Sequence, residues 1–330
     1  MKQFLQKKAK LVFLCMLVLL TCTACANPRG RDGKTLADQI IASEETTIDA
    51  SKINYKDISD KKLKKEIKKN IKDGEYTIQP TTFKDSMSKG WFEGLIVWPI
   101  AQIINLISSK TDAGVGIILT TLLIQMLVFV FTRKSQMSTQ RMQEISPEIQ
   151  KIQNKYKDKT DERSKLQMAQ EMQNLYQKYD IHPFGSMLIT FIQLPIMMGM
   201  YYATMRSVSV VSGSFMGISL AGTPLDGFKA LDIAYIAIYV LMVIFYIVSM
   251  KLPQWLKKWQ DKKDNVKIKK YAQEETNPMA NSMNMSMYFM TAMICIMYIS
   301  WPMAMSFYWL VSSVIRVCQS LILHQVMNKK

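Results

Sequence analysis

Long uncharged tracts of this chain alternate with short segments in which charged residues crowd together. Lys, Arg, Asp and Glu are absent from residues 113–132, 181–205, 233–250 and 276–315. About 20 helical residues cross the ~30 Å hydrocarbon layer of a bilayer, so each tract is a candidate membrane span. The pattern predicts an all-α polytopic membrane protein.

The longest tract is predicted to hold two helices. Residues 276–315 are too many for one span, and Pro302 in the motif SWPM ends a helix and allows the chain to reverse. Five transmembrane helices are therefore predicted, at about 113–132, 184–205, 231–250, 284–300 and 303–324.

The net charge of +16 indicates which side of the membrane each loop occupies. Residues 133–178 hold ten Lys and Arg and residues 251–270 hold eight, whereas residues 207–228 hold none. Cytoplasmic loops carry the excess of Lys and Arg. Nucleic-acid binding is a weaker explanation, because no zinc-knuckle spacing or basic-aromatic platform accompanies the charge. The segments predicted to be cytoplasmic are 134–180, 251–283 and the short tail 327–330.

The N-terminus has the order of a secretory signal, with basic residues, an apolar run and then small residues. The run Leu11–Leu20 follows four lysines and precedes the sequence TCTACANP. The triplet TAC ending at Cys25 resembles a bacterial lipobox, so residues 1–25 are predicted to be a lipoprotein signal peptide with Cys25 as the lipidation site. Cys22 is a competing site, and an ordinary signal peptide or an uncleaved anchor is the alternative. A lipobox implies a bacterial cell membrane and an N-terminus outside it.

The region between this signal and the first span divides into a polar part and an apolar part. Residues 26–90 are lysine-rich and carry a thin apolar stripe, which predicts an extracytoplasmic, solvated spacer with one short helix over part of 57–73. Residues 91–108 are apolar and begin with Trp91, and tryptophan favours the bilayer interface. With the N-terminus outside and the first span running inward, this segment is predicted to be an interfacial helix on the outer face.

The segment 134–180 has helical periodicity on both sides of the turn KDKTD. Apolar residues recur at intervals of three and four, which predicts an antiparallel helical hairpin with Pro147 kinking its first helix. The hairpin is either a solvated connector or a docking arm for a ribosome, a targeting factor or a nascent chain. The predicted seam residues are Met142, Ile145, Ile149, Ile152, Tyr156, Leu166, Ala169, Met172, Tyr176 and Tyr179.

A few polar residues lie within the predicted spans. Arg316 near mid-membrane costs about 2.5–3.5 kcal/mol on insertion scales, so it must face protein or water, or reach the interface by snorkelling. Gln125 lies at a similar predicted depth. We predict a water-filled recess lined by the first, second and fifth spans. Its candidate residues are Gln125, Arg316, Gln193, Thr190, Ser313 and Gln319.

Catalytic chemistry is not indicated by the sequence. No Ser/His/Asp set, metal-protease motif or phosphate loop is present, and His182 and His324 have no ligand cluster around them. The five cysteines form no disulfide framework. The chain is therefore predicted to be a non-enzyme without a cofactor. Many of its 26 methionines cluster in the spans, where they indicate either an adaptable apolar surface or a bias of composition.

Four stretches resemble the YidC family of membrane protein insertases, in the short form of Gram-positive bacteria. They are GWFEGLIVWPIAQIINLI, RMQEISPEIQKIQNKYK, FIQLPIMMGMY and MSMYFMTAMICIMYISWPMAMSFYWLVSSVIRVCQ, and the resemblance covers about residues 91–326. It implies five helices around a hydrophilic groove that opens to the cytoplasm and the lipid. It also implies nascent membrane proteins as substrates, and the ribosome, the Sec translocon and membrane lipids as partners.

One position departs from the family pattern. The family carries a groove arginine in the first span, and the aligned position in TTLLIQMLVF is Gln125. One hypothesis is that Arg316 supplies the positive charge from the fifth span. The other is that this copy has lost the charge requirement and serves a narrower set of substrates. A lipid-anchored assembly chaperone beside the translocon and, more remotely, a transporter are the rival functions.

Overall fold

The computed structural model describes residues 28–157, 159, 161–181, 185–263, 289, 291–293 and 295–328, and these are mostly helical. The predicted signal peptide 1–25, with Cys22 and Cys25, lies outside the described residues. The described residues form two compact units. The first draws on Met1–Thr120, Leu194–Gly222 and Pro302–Met305, and the second on Thr121–Gln193, Thr223–Trp301 and Ser306–Lys330.

Short strands and two helices form the N-terminal part of the first unit. β1 pairs in parallel with β3, and β2 pairs antiparallel with β4. Asp60 caps the first helix, and Thr82 and Asp85 form a capping box on the second, so both helices begin at sequence-encoded signals. The elements are β1 (Thr35–Leu36), β2 (Thr46–Asp49), β3 (Ile53–Asn54), α1 (Lys61–Asn70), β4 (Glu75–Ile78) and α2 (Phe83–Lys89).

These elements share an apolar core, which corrects the expectation of a solvated spacer with one short helix. The predicted helix is present as α1, but its Ile67 is buried against residues of the strands and turns. Val208 and Val211, far along the chain, complete the same core. Periodicity missed it because its members stand singly among charged residues and pack across long sequence separations. The buried members are Ala37, Ile40, Ala42, Ile48, Ile53, Ile58, Ile67, Ile78, Val208 and Val211.

A helix with an irregular start lies where the sequence predicts one at 91–108. Residues Glu93–Val97 form a π-helical turn that continues into α3 (Trp98–Ser108). Asn105 of α3 is buried, donates from Nδ2 to the Ile41 carbonyl (2.8 Å) and accepts the Ser207 hydroxyl at Oδ1 (2.6 Å). This side chain therefore ties the helix to two distant segments of the first unit. Its position at the outer membrane interface stays a prediction.

The first long helix passes the predicted end of its span. α4 runs unbroken over Ala113–Glu144, so the chain stays helical across the predicted boundary between a span ending at 132 and a hairpin beginning at 134, and that boundary stays a prediction. Good helix formers fill Arg133–Glu144, and the next proline is Pro147, so nothing in the sequence stops the helix earlier.

Two shorter helices follow, α5 (Ser146–Lys155) and α6 (Glu162–Lys178). Ile145, Leu175 and Ile181 are buried together between them, with Met142, Ile149, Ile152, Tyr176 and Tyr179 packed around this cluster. Leu166 and Ala169, predicted in the seam, are exposed, because the buried face of α6 runs through Ser164 and Leu175 and neither residue lies on it. Pro147 lies in the first turn of α5, where a missing backbone N–H costs little.

The remaining described elements alternate between long helices and short connections. They are α7 (Gly185–Arg206), α8 (Val208–Ser212), β5 (Ser214–Phe215), β6 (Ile218–Ser219), α9 (Pro224–Ala230), α10 (Ile233–Lys263) and α11 (Met303–Asn328). The predicted loop 251–283 therefore begins as helix, since α10 continues to Lys263. β5 and β6 form a small antiparallel pair in the predicted outer loop.

Three described helices are long and apolar enough to cross a membrane, over Ala113–Met142, Ile233–Gln260 and Met303–Val326. α7 occupies the second predicted span. Seven of the 17 residues of the fourth predicted span, 284–300, lie outside the described residues. The count of five spans therefore stays a prediction, whereas the helical membrane-protein class is confirmed in its broad form.

Candidate functional site

Gln125 is a buried amide on an otherwise lipid-compatible helix. Apolar side chains of α4 that lie one or two residues away, such as Leu123, Met126 and Leu127, are exposed, whereas Gln125 is buried. Its Nε2 donates to the hydroxyl oxygen of Ser312 on α11 (3.1 Å). A hydrogen bond between membrane helices satisfies an amide that hydrocarbon could not.

A second amide of the site comes from α7. Gln193 donates from Nε2 to the hydroxyl oxygen of Tyr308 (3.1 Å), and Tyr308 is completely buried. Tyr308 and Ser312 are four residues apart on α11, so their side chains lie on one face of that helix. Side chains of α4 and α7 therefore converge on one stretch of α11 within the second unit.

Arg316 lies one helical turn beyond Ser312 and has no carboxylate partner in the described part of the chain. Its Nε donates to the Ser312 carbonyl (3.3 Å). Its Nη2 is buried and has no hydrogen-bond partner among the described residues. The residue as a whole is partly exposed.

Aromatic rings take the place of a counter-ion beside Arg316. The guanidinium carbon is 5.5 Å from the centroid of the Trp309 ring, which is within the range of a cation–π interaction. Trp309 stacks on Tyr298, with ring centroids 4.9 Å apart, and meets Tyr246 edge to face at 6.2 Å. These rings carry no negative charge, so they contact the Arg316 guanidinium without neutralising it.

The other predicted groove residues occupy unequal positions. Ser313 is buried, and its hydroxyl has no hydrogen-bond partner among the described residues. Gln319 is partly buried on α11. Thr190 lies on α7, but its side chain is outside the described residues, as is Cys25. The structure thus brings Gln125 of α4 and Gln193 of α7 to residues 308–316 of α11, a stretch that contains Arg316 and Ser313.

The sequence alone did not assign Tyr308, Trp309 or Ser312 to the site. The spacing of Tyr308, Ser312 and Arg316, at intervals of four, puts them on one helix face and is the signal that could have found them. Among the described residues, no group of three His, Cys, Asp or Glu is placed to hold a metal ion.

A fully buried arginine lies in the first unit. Arg206, at the end of α7, pairs through Nη1 with the Glu93 carboxylate, and both side chains are almost inaccessible. Its guanidinium carbon lies 5.3 Å from the Tyr202 ring centroid. Burial and the nearby charge of Arg206 lower the pKa of Lys89, whose Nζ donates to the Asp38 carbonyl (2.8 Å). The charge of this arginine is therefore paired with a carboxylate of the same unit.

Three described helices long and apolar enough to cross a membrane, with polar side chains of α4 and α7 packed against α11, are typical of a polytopic helical membrane protein. The family described as 60Kd inner membrane protein matches residues 105–330. This chain is 30% identical over 237 residues to Membrane protein insertase YidC 1 of Streptococcus pyogenes serotype M6, covering 72% of this chain and 75% of that protein.

Two further relatives have comparable coverage. Membrane protein insertase YidC 1 of Listeria monocytogenes serotype 4b is 30% identical over 257 residues, which are 77% of this chain and 78% of that protein. Membrane protein insertase MisCA of Bacillus subtilis is 28% identical over 238 residues, which are 72% of this chain and 80% of that protein. The chain belongs to the YidC family, which confirms the resemblance found in the sequence.

Proposed function

We propose that this chain is a membrane protein insertase. The observation that carries the proposal is the guanidinium of Arg316, which has no carboxylate partner among the described residues and donates to the backbone of Ser312, the residue whose hydroxyl accepts from Gln125, in a chain whose relatives are named insertases. A cation with no carboxylate among the described residues is costly in a membrane helix, so its retention favours a functional role. The family is one of insertases and not of enzymes, and the role requires no covalent step.

The polar groups lower the barrier for a substrate's polar tail. Moving an unpaired amide or charge from water into hydrocarbon costs several kcal/mol or more. The partly exposed amides of Gln193 and Gln319 offer replacement hydrogen-bond partners along the path, and Arg316 offers a positive charge for acidic tails. The substrate's apolar segment then partitions into the bilayer, which supplies the driving free energy.

We also propose the finer arrangement that the sequence indicates. Five spans run with the N-terminus outside and the C-terminus in the cytoplasm, α5 and α6 form a cytoplasmic capture hairpin, and Cys25 carries the lipid. The exposed Lys and Arg of residues 133–178 and the cysteine-containing TAC triplet support this arrangement. The ribosome and the Sec translocon are the expected partners, and nascent membrane proteins the substrates.

Reconstitution tests the proposed function directly. The purified full chain is incorporated into liposomes and supplied with a freshly synthesised single-span protein that has a short acidic outer tail. Protease protection of the tail reports insertion. We expect protection that protein-free liposomes do not give. No protection in these liposomes, but protection when the Sec translocon is added together with this chain and not when it is added alone, would instead establish an assembly chaperone.

A further inference from the structure

Helix α10 is longer than the membrane requires. Its 31 residues, Ile233–Lys263, extend about 46 Å at 1.5 Å per residue, against a hydrocarbon layer of about 30 Å. Only 11% of its most apolar stretch is buried within the protein, so most of the helix surface is not covered by other parts of the chain. The helix is therefore about 16 Å longer than the hydrocarbon layer, which is enough for about one third of its residues to reach the headgroups.

One exposed stripe runs along the whole length of this helix. Apart from Leu241, which adjoins Val240, its residues are spaced by three, four, seven or eight, which places them on one side of an α-helix. In the span the stripe is aliphatic, and beyond it the stripe continues with Trp255 (48% exposed) and Trp259 (61% exposed). The aliphatic members are Ile233, Val240, Leu241, Ile244 and Ile247. The two tryptophans therefore extend the face that meets the lipid chains.

Basic residues surround these tryptophans. Residues 251–263 contain five lysines and a single acidic residue, Asp261. Lys258 and Lys262 are exposed next to the tryptophans on the same stripe, and Lys263 places Nζ 5.5 Å from the centroid of the Trp259 ring. A helix end with exposed indoles and flanking lysines has the chemistry of the headgroup layer, where indoles are enriched and anionic lipids attract cations.

We infer that residues 251–263 form a docking surface for anionic phospholipid headgroups at the end of α10. The bilayer is favoured over a protein or RNA partner because the tryptophans lie on the same side of α10 as its exposed aliphatic residues. In the proposed topology this is the cytoplasmic leaflet. The inference concerns lipid contact and does not depend on the insertase function.

Tryptophan quenching by brominated lipids tests the surface in the full-length protein. The chain is reconstituted in nanodiscs of phosphatidylglycerol and phosphatidylcholine, with bromine on the acyl chains of only one lipid at a time. The difference between wild type and the Trp255→Phe/Trp259→Phe variant isolates the signal of the two indoles. We expect brominated phosphatidylglycerol to quench this signal more strongly than brominated phosphatidylcholine does. Lys258→Gln/Lys262→Gln should reduce that preference at least about twofold, since each lysine near the surface contributes attraction.

Lys229→Gln, a matched loss of one exposed lysine on α9, is the control and should leave the preference unchanged. Equal quenching by both lipids would overturn the anionic selectivity, and absence of quenching would overturn lipid contact altogether. If Lys258→Gln/Lys262→Gln instead lowers ribosome co-sedimentation and leaves lipid preference intact, the surface binds RNA or protein and the inference is wrong.

Discussion

Arg206 and Arg316 are held in opposite ways. Arg206, in the first unit, has the Glu93 carboxylate against its Nη1, and only its Nε lacks a partner among the described residues. Arg316, in the second unit, has a backbone carbonyl, an indole ring and a buried Nη2 without a partner. The same side chain is neutralised by the fold in one unit and left charged in the other.

This difference separates a structural cation from an available one. A buried ion pair is costly to break, because removing one partner leaves the other charge unpaired. A cation that rests on aromatic rings keeps its charge and can meet an incoming anion. Arg206 should therefore act through stability, and Arg316 through the handling of substrate.

Loss of the Glu93 carboxylate should have the largest effect. Glu93→Gln leaves Arg206 buried without its counter-charge, and we expect the free energy of unfolding to fall by about 3–5 kcal/mol. Unfolding in mixed micelles, followed by circular dichroism, measures this. The matched control is Glu75→Gln, which removes an exposed carboxylate from β4. Similar stability of the two variants would contradict the structural role of the pair.

Replacing both partners sharpens the same comparison. Glu93→Leu combined with Arg206→Met removes the charges together and keeps apolar volume in their place. Such replacements of buried ion pairs are often neutral. We expect most of the stability lost in Glu93→Gln to return in this double variant, as measured by the same unfolding transition.

Loss of the Arg316 charge should affect insertion more than stability. Arg316 pairs with no carboxylate among the described residues, so Arg316→Gln leaves no described carboxylate without its partner, and the free energy of unfolding should change little. We expect insertion of an acidic-tailed single-span protein to fall about tenfold, equivalent to about 1.4 kcal/mol. The measurement is protease protection in cells that depend on this chain.

Two further variants decide how the charge acts. Gln125→Arg in the Arg316→Gln background restores a cation from α4 and should recover insertion. Arg31→Gln, which removes an exposed arginine of the first unit, should have no effect. If Arg316→Gln inserts as well as wild type, the arginine snorkels and the site works without a fixed charge.

The hydrogen bond between Gln125 and Ser312 should contribute less. Interhelical hydrogen bonds in membrane proteins average about 0.6 kcal/mol in double-mutant cycles. A cycle of Gln125→Leu, Ser312→Ala and both together should give a coupling of about that size in micelle unfolding. Coupling indistinguishable from zero would mean that the 3.1 Å contact adds no stability.

The exposed ion pair on α5 and α6 should have the smallest effect. Hydrogen bonds from Lys155 and Tyr156 lower the pKa of Glu171. Its contribution is therefore complete above the usual carboxyl range and is lost as the pH falls through the lowered value. Amide exchange near Leu175, corrected for the intrinsic pH dependence, should rise at acid pH in wild type. Glu171→Gln should already show the faster exchange at neutral pH. The same exchange rates in both proteins at every pH would show that the pair of Lys155 and Glu171 contributes no stability.

The sequence predicted the long helices because their signal is local. Charge-free tracts located α4, α10 and α11, and the predicted start of the last span at 303 coincides with the helix Met303–Asn328. The ends were harder to predict, since α4 and α10 both continue as helix into charged residues. Apolarity marks where a helix meets lipid, whereas helix propensity decides where it ends.

Contacts between distant segments were not predictable in the same way. The core that Ile67 and Val208 share, and the pairing of Glu93 with Arg206, join residues that no periodicity relates. The sequence singled out Gln125 and Arg316 as unusual in their spans. That both contact Ser312 follows only from how α4 and α11 pack in the second unit.

Because α4 is one continuous helix, a tilt at one end would be transmitted to the other end. From Ile117 to Glu144 it contains neither glycine nor proline, the usual causes of a sharp kink. The 12 residues beyond Thr132 extend about 18 Å, so a tilt of about ten degrees there would move the Glu144 end by about 3 Å. Met142 and Ile145 join that end to the cluster shared with α5 and α6. A force on α5 and α6 would therefore tilt or rotate α4 and so move Gln125.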